Sequence, residues 1–156
     1  MYEDLRQNED VTIDSVGVGG FVAHCGIRFT VETKERVEAE VEVRPELLQP
    51  WGVMHGGATC TLLETVASRA AEYNTDLNKE RPFGVEVNLR HRKPGKKGVI
   101  TGIAELDHLE GNKQFWAVRA VDEEGDIVSD GICMTKIVSL ERLAQKEAEA
   151  AAAKQA

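Results

Sequence analysis

Residues 49–72 read QPWGVMHGGATCTLLETVASRAAE, and the spacing of apolar side chains in this stretch decides the fold. Pro50, Gly52 and the Gly56-Gly57 pair punctuate the chain. From Ala58 onward nothing interrupts a helix until the turn-prone Asn74-Thr75-Asp76. At about 100° per residue, Ala58, Leu62, Leu63, Val66, Ala70 and Tyr73 share one broad arc, the pattern of a helix lying on a sheet. Gly57, Thr61, Glu64 and Ser68 fall on the opposite side, facing away from that sheet, and Thr65, Arg69 and Glu72 read as solvated surface. Glu64 therefore stands two turns inside an apolar helix, displaced from both the core arc and the charged arc. A carboxylate so placed is a candidate for chemistry.

Working outward, residues 26–43 form a hairpin. Ile27, Phe29 and Val31 alternate, then Val37, Ala39, Val41 and Val43 alternate with charged residues, across the turn Glu32-Thr33-Lys34-Glu35. Four further strands are expected after the helix, at about 84–92, 98–109, 114–121 and 127–138. The last two are joined by the acidic glycine turn Asp122-Glu123-Glu124-Gly125-Asp126. Strands segregated from a single long helix, with no βαβ alternation, predict an α+β domain with an antiparallel sheet of about five to six strands. A helix of about 19 residues would be roughly 28 Å long, enough to be wrapped by a curved sheet. Residues 1–20 form a polar lead, 21–138 the domain, and 139–156 a tail of strong helix formers with few large apolar groups, expected as an exposed helical extension.

Composition bounds the function. A chain of 156 residues with 42% hydrophobic content and four prolines suits one folded domain. The three cysteines lack paired spacing, and His24, His55, His91 and His108 lack metal-ligand spacing, so neither a disulfide framework, a metal centre nor a cofactor is expected. The acidic start MYEDLRQNED is no signal peptide and no apolar run could span a membrane, so a cytoplasmic location is expected. A net charge of −8 disfavours binding to nucleic acid. Residues 90–97, RHRKPGKK, run against that balance, with five Lys/Arg and no acid.

The run from Gln49 through Pro50, Gly52, His55, Gly56, Gly57 and Ala58 to Cys60, Leu62, Glu64 and Ala67-Ser68 resembles the helix-start motif of hot-dog-fold acyl-CoA thioesterases. Within them it is similar to the branch holding the phenylacetate-pathway thioesterases and a 4-hydroxybenzoyl-CoA thioesterase with a helix glutamate. The likeness covers about residues 20–138. It implies hydrolysis of an acyl-CoA, including aryl-CoA, thioester to free acid and coenzyme A. It also implies a homotetramer built as a dimer of dimers, with sites shared between subunits.

Each matched residue has a physical role. Gly56 and Gly57 stand at a helix N-terminus, where free N–H groups and the positive dipole end suit the oxyanion of a thioester transition state. The resemblance gives this work to the Gly56 amide, with Gln49 helping. It makes Glu64 the nucleophile or general base, Ser68 an aid to the water or carboxylate, and His55 an organiser of the loop. Arg92 and Lys93 are the implied contacts of the coenzyme A phosphates, with the turn Gly111-Asn112 near the nucleotide. Lys93 stands where the family usually has arginine, which removes a bidentate contact. Two alternatives stay open. A hot-dog dehydratase or hydratase would need a His with an acid, and the Asp-x-Asn-Pro-type hydratase motif is missing. A non-catalytic acyl-CoA-binding protein would leave Glu64 dispensable. Trp51, Phe83, Phe115 and Trp116 are aromatic candidates for an aryl pocket, or core.

Overall fold

The computed structural model describes residues 19–155. The expected polar lead falls almost wholly outside them. A short helix α1 (Gly19–Cys25) is followed by β1 (Arg28–Glu32) and β2 (Arg36–Glu42), a 3-10 turn at Pro45–Leu47, and the long helix α2 (Gly56–Tyr73). Then come β3 (Glu80–His91), β4 (Val99–Glu110), β5 (Lys113–Val121), β6 (Ile127–Ser139) and the tail helix α3 (Leu140–Gln155). The strands form one antiparallel sheet of six in the order β1-β2-β4-β5-β6-β3.

The apolar arc of α2 does what its period demands. Leu62, Leu63, Val66, Ala67, Ala70 and Ala71 are buried against Val37, Ala39, Val41, Ile100, Ala104, Trp116, Val118 and Cys133 of the sheet. Each such Leu or Val side chain contributes roughly 1.5–3 kcal/mol on burial, so this one face fixes the helix on the sheet. β5 shows the matching alternation, with Gln114, Trp116, Val118 and Ala120 buried and the residues between them half-buried.

α1 was not expected from the sequence. GGFVAHC begins on two glycines and is too short to show a period. Its form comes from tertiary contact: Val22 and Cys25 pack on the core, and Ile27 N–H donates to the Val22 carbonyl at 3.3 Å. β3 begins four residues before its sequence-based start because Glu80–Phe83 pair with the end of β6. The register of that pair slips between Gly84 and Glu86, so a bulge lies midway along β3.

α3 is mostly exposed, as an Ala/Glu/Lys helix should be. It is anchored at its start, where Leu140 N–H donates to the Lys79 carbonyl at 2.8 Å. Removing residues 141–156 should leave both melting temperature and activity unchanged. A large loss of either would show that the tail carries part of the fold or the site. Among the described residues no helix is long and apolar enough to cross a membrane.

Candidate active site

His55 is the N-cap of α2, and its use of the first turn's amides leaves one of them over. Its Nδ1 accepts from Gly57 N–H at 2.9 Å, and its carbonyl accepts from Ala58 and Thr59 at 2.9 and 3.2 Å. The Gly56 N–H is the remaining first-turn donor, in the place where the helix dipole is most positive. The two glycines thus divide: the Gly57 amide is used by the cap, and the Gly56 amide can serve a ligand. His55 thereby ties the loop to the first turn of α2.

Around Gly56 lies a cavity of about 310 Å³ lined by Gln49, Met54, Thr59, His91 and the Lys93-Pro94-Gly95 turn. Gln49 Oε1 accepts from Trp51 N–H at 2.8 Å, which leaves its amide N–H₂ as the donor end. His91 was passed over in the sequence because it has no ligand spacing, yet it is brought directly over the helix start. A Cβ on Gly56 would stand 2.8 Å from His91 Nε2, so only glycine fits beneath the ring. The ring is fixed from behind by the buried Ser129, whose Oγ lies 2.6 Å from His91 Nδ1. That partner is 38 residues away on another strand, a pairing no local pattern can reveal.

Glu64 is exposed at the other end of the site, and among the described residues no ion pair engages it. The expectation that Glu64 and Ser68 face away from the sheet is corrected by β3. A Cβ on Gly84 would lie 2.9 Å from Glu64 Oε1 and 3.8 Å from Ser68 Oγ, so the edge strand passes beside both side chains, at the bulge. Cys133 Sγ sits 3.9 Å from the Leu63 carbonyl, and burial, reinforced by Glu64, pushes its thiol up to about 12. Burial and Glu64 also raise Cys60. Both remain protonated thiols, poor nucleophiles beside Glu64.

A second cavity of about 290 Å³ opens on Glu64 and Ser68 and runs along α2 past Thr65 to Arg69 and Glu72. Phe21 and Val22 of α1 and Phe29 of β1 wall its other side. The arc of Thr65, Arg69 and Glu72 is therefore not solvated surface. The Arg69 side chain is 10% exposed, pairs with Glu32 at 2.6 Å and Glu72 at 3.0 Å, and lies over the rings of Phe29 and Tyr73. Burial disfavours its charge, but the two carboxylates outweigh that and raise it. Burial also pushes the Glu72 carboxyl up, although Arg69 pulls the other way.

Gly56 and Glu64 do not meet within one chain. Eight residues of helix separate them by about 12 Å along the axis, and they open into different cavities. One thioester carbonyl must lie about 3 Å from an oxyanion donor and about 3–3.5 Å from the attacking oxygen. The backward lean of the Glu64 side chain shortens the gap without closing it. These two groups of one helix therefore do not reach a single carbonyl.

The basic segment is engaged by acids. Arg92 forks onto Asp130 at 2.7 and 3.2 Å, and the Lys93 ammonium sits between Asp122 and Asp126 at 2.7 and 2.5 Å. These contacts raise both cations and hold Asp122 and Asp130 below the usual carboxylate range. The Gly111-Asn112 turn lies at the far end of the sheet. Asn112 exchanges hydrogen bonds with Ile137, whereas Arg92 N–H donates to Val128. That is nine residues along β6, roughly 30 Å, so the turn and the basic segment cannot grip one nucleotide from the same chain. Of the four aromatic candidates, Trp116 is core, fully buried with its Nε1–H donating to Thr135, and Phe115 stacks on His108 at 4.2 Å. Trp51 is exposed and Phe83 half-buried, and neither lines the Glu64 cavity. The aromatics that do are Phe21 and Phe29.

Residues 52–129, which span the helix start, α2 and most of the sheet, match the sequence profile of the thioesterase superfamily. This chain belongs to that superfamily. Among its relatives, the proofreading thioesterase EntH of Cronobacter turicensis is 32% identical over 113 residues, 72% of this chain and 82% of that protein. The 1,4-dihydroxy-2-naphthoyl-CoA hydrolase of Escherichia coli is 29% identical over 126 residues, 81% of this chain and 92% of that one. In three dimensions AziG of S. sahachiroi superposes with a TM-score of 0.74 at 32% identity, over 80% of this chain and all of its own. A thioesterase of Haemophilus influenzae superposes with a TM-score of 0.76 at 25% identity, over 85% and 94%. The fold expected from the sequence, a long helix wrapped by an antiparallel sheet, is thus the hot-dog fold of a thioesterase.

Proposed function

We propose that this thioesterase hydrolyses an acyl-CoA, aryl acyl groups included, to free acid and coenzyme A, with the thioester held between two copies of the chain. The observation that carries this reading is the Gly56 amide, left uncapped at the start of α2 and flanked by the donor end of Gln49 and by His91. Donors so arranged stabilise a carbonyl oxygen as it becomes negative. The Glu64 carboxylate attacks the thioester carbon, thiolate leaves, and water opens the resulting anhydride at the Glu64 carbon. Ser68 positions the water. The E. coli relative, named for hydrolysis of an aryl-CoA, supports the substrate class.

The second copy is needed because Gly56 and Glu64 are too far apart on one helix. β3 is an edge strand twelve residues long, with Val85 and Val87 exposed at 52% and 36%. Such an edge pairs readily. Two-fold pairing through β3 runs the two α2 helices antiparallel and brings Gly56 of one copy beside Glu64 of the other. A dimer of such dimers is the proposed assembly. Sedimentation at micromolar concentration should give a dimer or tetramer; an active monomer would contradict the shared site.

The basic segment serves the phosphates of coenzyme A. The Arg92 and Lys93 side chains are 50% and 41% exposed, so exchanging one anion for another costs little. The Gly111-Asn112 turn reaches the same nucleotide only from a further subunit. Changing Arg92 and Lys93 together to Gln should raise KM for acyl-CoA and weaken its salt dependence while sparing pantetheine thioesters. Equal damage to both would place the pair in the fold rather than at the phosphates.

The experiment that tests the function is thiol release from a panel of acyl-CoA thioesters, read with a thiol-reactive dye. Stoichiometric coenzyme A with free acid supports hydrolysis. Conversion with the thioester intact would mean a dehydratase or hydratase, and tight binding without conversion a carrier or scaffold.

A further inference from the structure

The cavity beyond Glu64 carries a feature that hydrolysis does not need. Its far end is formed by a half-buried ion cluster in which one guanidinium, Arg69, pairs with Glu72 and, behind the lining, with Glu32, while Glu64 stands at the near end. Two carboxylates, Glu64 and Glu72, and one cation, Arg69, line a cavity walled also by Phe21, Val22 and Phe29 and by three side-chain hydroxyls. Arg69 is held from both sides, over two aromatic rings and by two acids, so it fixes Glu72 in place. Glu64 and Glu72 are eight residues apart on α2, about 12 Å along the axis. A single aromatic ring with one substituent opposite its thioester spans that interval once hydrogen-bond lengths at both ends are allowed for. A cavity of about 290 Å³ is at the small end of ligand pockets, which suits one ring.

We propose that Glu72, positioned by Arg69, is a specificity-determining residue that accepts a hydrogen bond from a hydroxyl or amino group at the far end of the acyl group and turns away acyl groups ending in a carboxylate. The inference rests on the thioesterase reading above. A carboxylate acceptor strengthens a hydrogen bond, and its charge repels another anion brought against it.

The test compares kcat/KM for 4-hydroxy-, 4-amino- and 4-methylbenzoyl-CoA, whose substituents each add one heavy atom, and for 4-carboxybenzoyl-CoA beside its net-neutral near-isostere 4-nitrobenzoyl-CoA, in the wild type, Glu72→Gln and Glu72→Leu. The wild type should prefer hydroxyl and amino over methyl by about 10-fold or more, and should handle the carboxylate worst. Glu72→Leu should reverse the hydroxyl-over-methyl order. Glu72→Gln keeps the shape and a contact to Arg69, so it covers the case where the leucine variant does not fold; it should raise the carboxylate substrate about 10-fold or more relative to the nitro substrate. Wild-type ratios near one, or ratios unchanged in a folded variant, would overturn the role of Glu72. Benzoyl-CoA and acetyl-CoA serve as controls. Hydrolysis of either with those null ratios sinks only this inference, whereas intact thioester throughout sinks the thioesterase reading and this inference with it.

Discussion

Glu64→Gln should lose at least about 10³-fold in kcat while KM stays within a few-fold, the pattern for removing a positioned base or nucleophile. The amide is nearly isosteric, so it keeps the close fit against Gly84, where Oε1 lies 2.9 Å from the position of an added Cβ. It is neither basic nor nucleophilic at neutral pH. The thiols nearby cannot substitute, because burial holds Cys133 up at about 12 and raises Cys60 too. In the proposed site substrate binding relies on other groups, chiefly the Gly56 end of the partner helix and the basic segment, so it should survive. The assay is steady-state hydrolysis beside binding of the same acyl-CoA by calorimetry. Turnover within about 10-fold of wild type would remove Glu64 from the mechanism.

The largest effect on stability is expected at Gly131, in the middle of β6. A Cβ there would stand 2.0 Å from the Asn88 carbonyl oxygen and 2.9 Å from Leu89 Cα. Both are backbone atoms of β3, so no rotamer change relieves the clash and the edge strand itself must move. Gly131→Ala should cost about 3 kcal/mol, the upper end of overpacking. For a chain of this size that lowers Tm by roughly 6–12 °C at fixed protein concentration. Since β3 carries Gly84 beside Glu64, His91 over Gly56 and the edge proposed for pairing, the same change should weaken the oligomer and activity together. A Tm within about 2 °C of wild type would show that β3 does not lie against Gly131 as described.

How much of this was legible in the sequence follows from the range of each interaction. The start and length of α2 and its buried face are local, set by the glycine pair and a repeat of 3.6 residues, and Glu64 stood out because it broke that repeat. The strands after α2 were legible from alternation and turn residues, with errors at the ends where pairing with a distant strand decides, as at Glu80. The rest depends on partners remote in sequence. His91 stays over Gly56 because Ser129 holds its ring; Arg69 is largely covered because Glu32, 37 residues before it, pairs with it; and Arg92 and Lys93 meet Asp122, Asp126 and Asp130. Charged residues at a helix's outer arc read as solvated unless their partners are known. The distance between Gly56 and Glu64 was also readable from the helical rise, and it is the ground for the two-subunit site proposed above.

The central claim, that the Glu64 carboxylate itself attacks the thioester, is tested most directly by a single turnover in ¹⁸O-water with enzyme in excess over acyl-CoA, followed by mass analysis of the acid and of the Glu64 peptide. An anhydride opened at the Glu64 carbon leaves the acid unlabelled and puts solvent oxygen on Glu64. Fully labelled acid with none on Glu64 would contradict it.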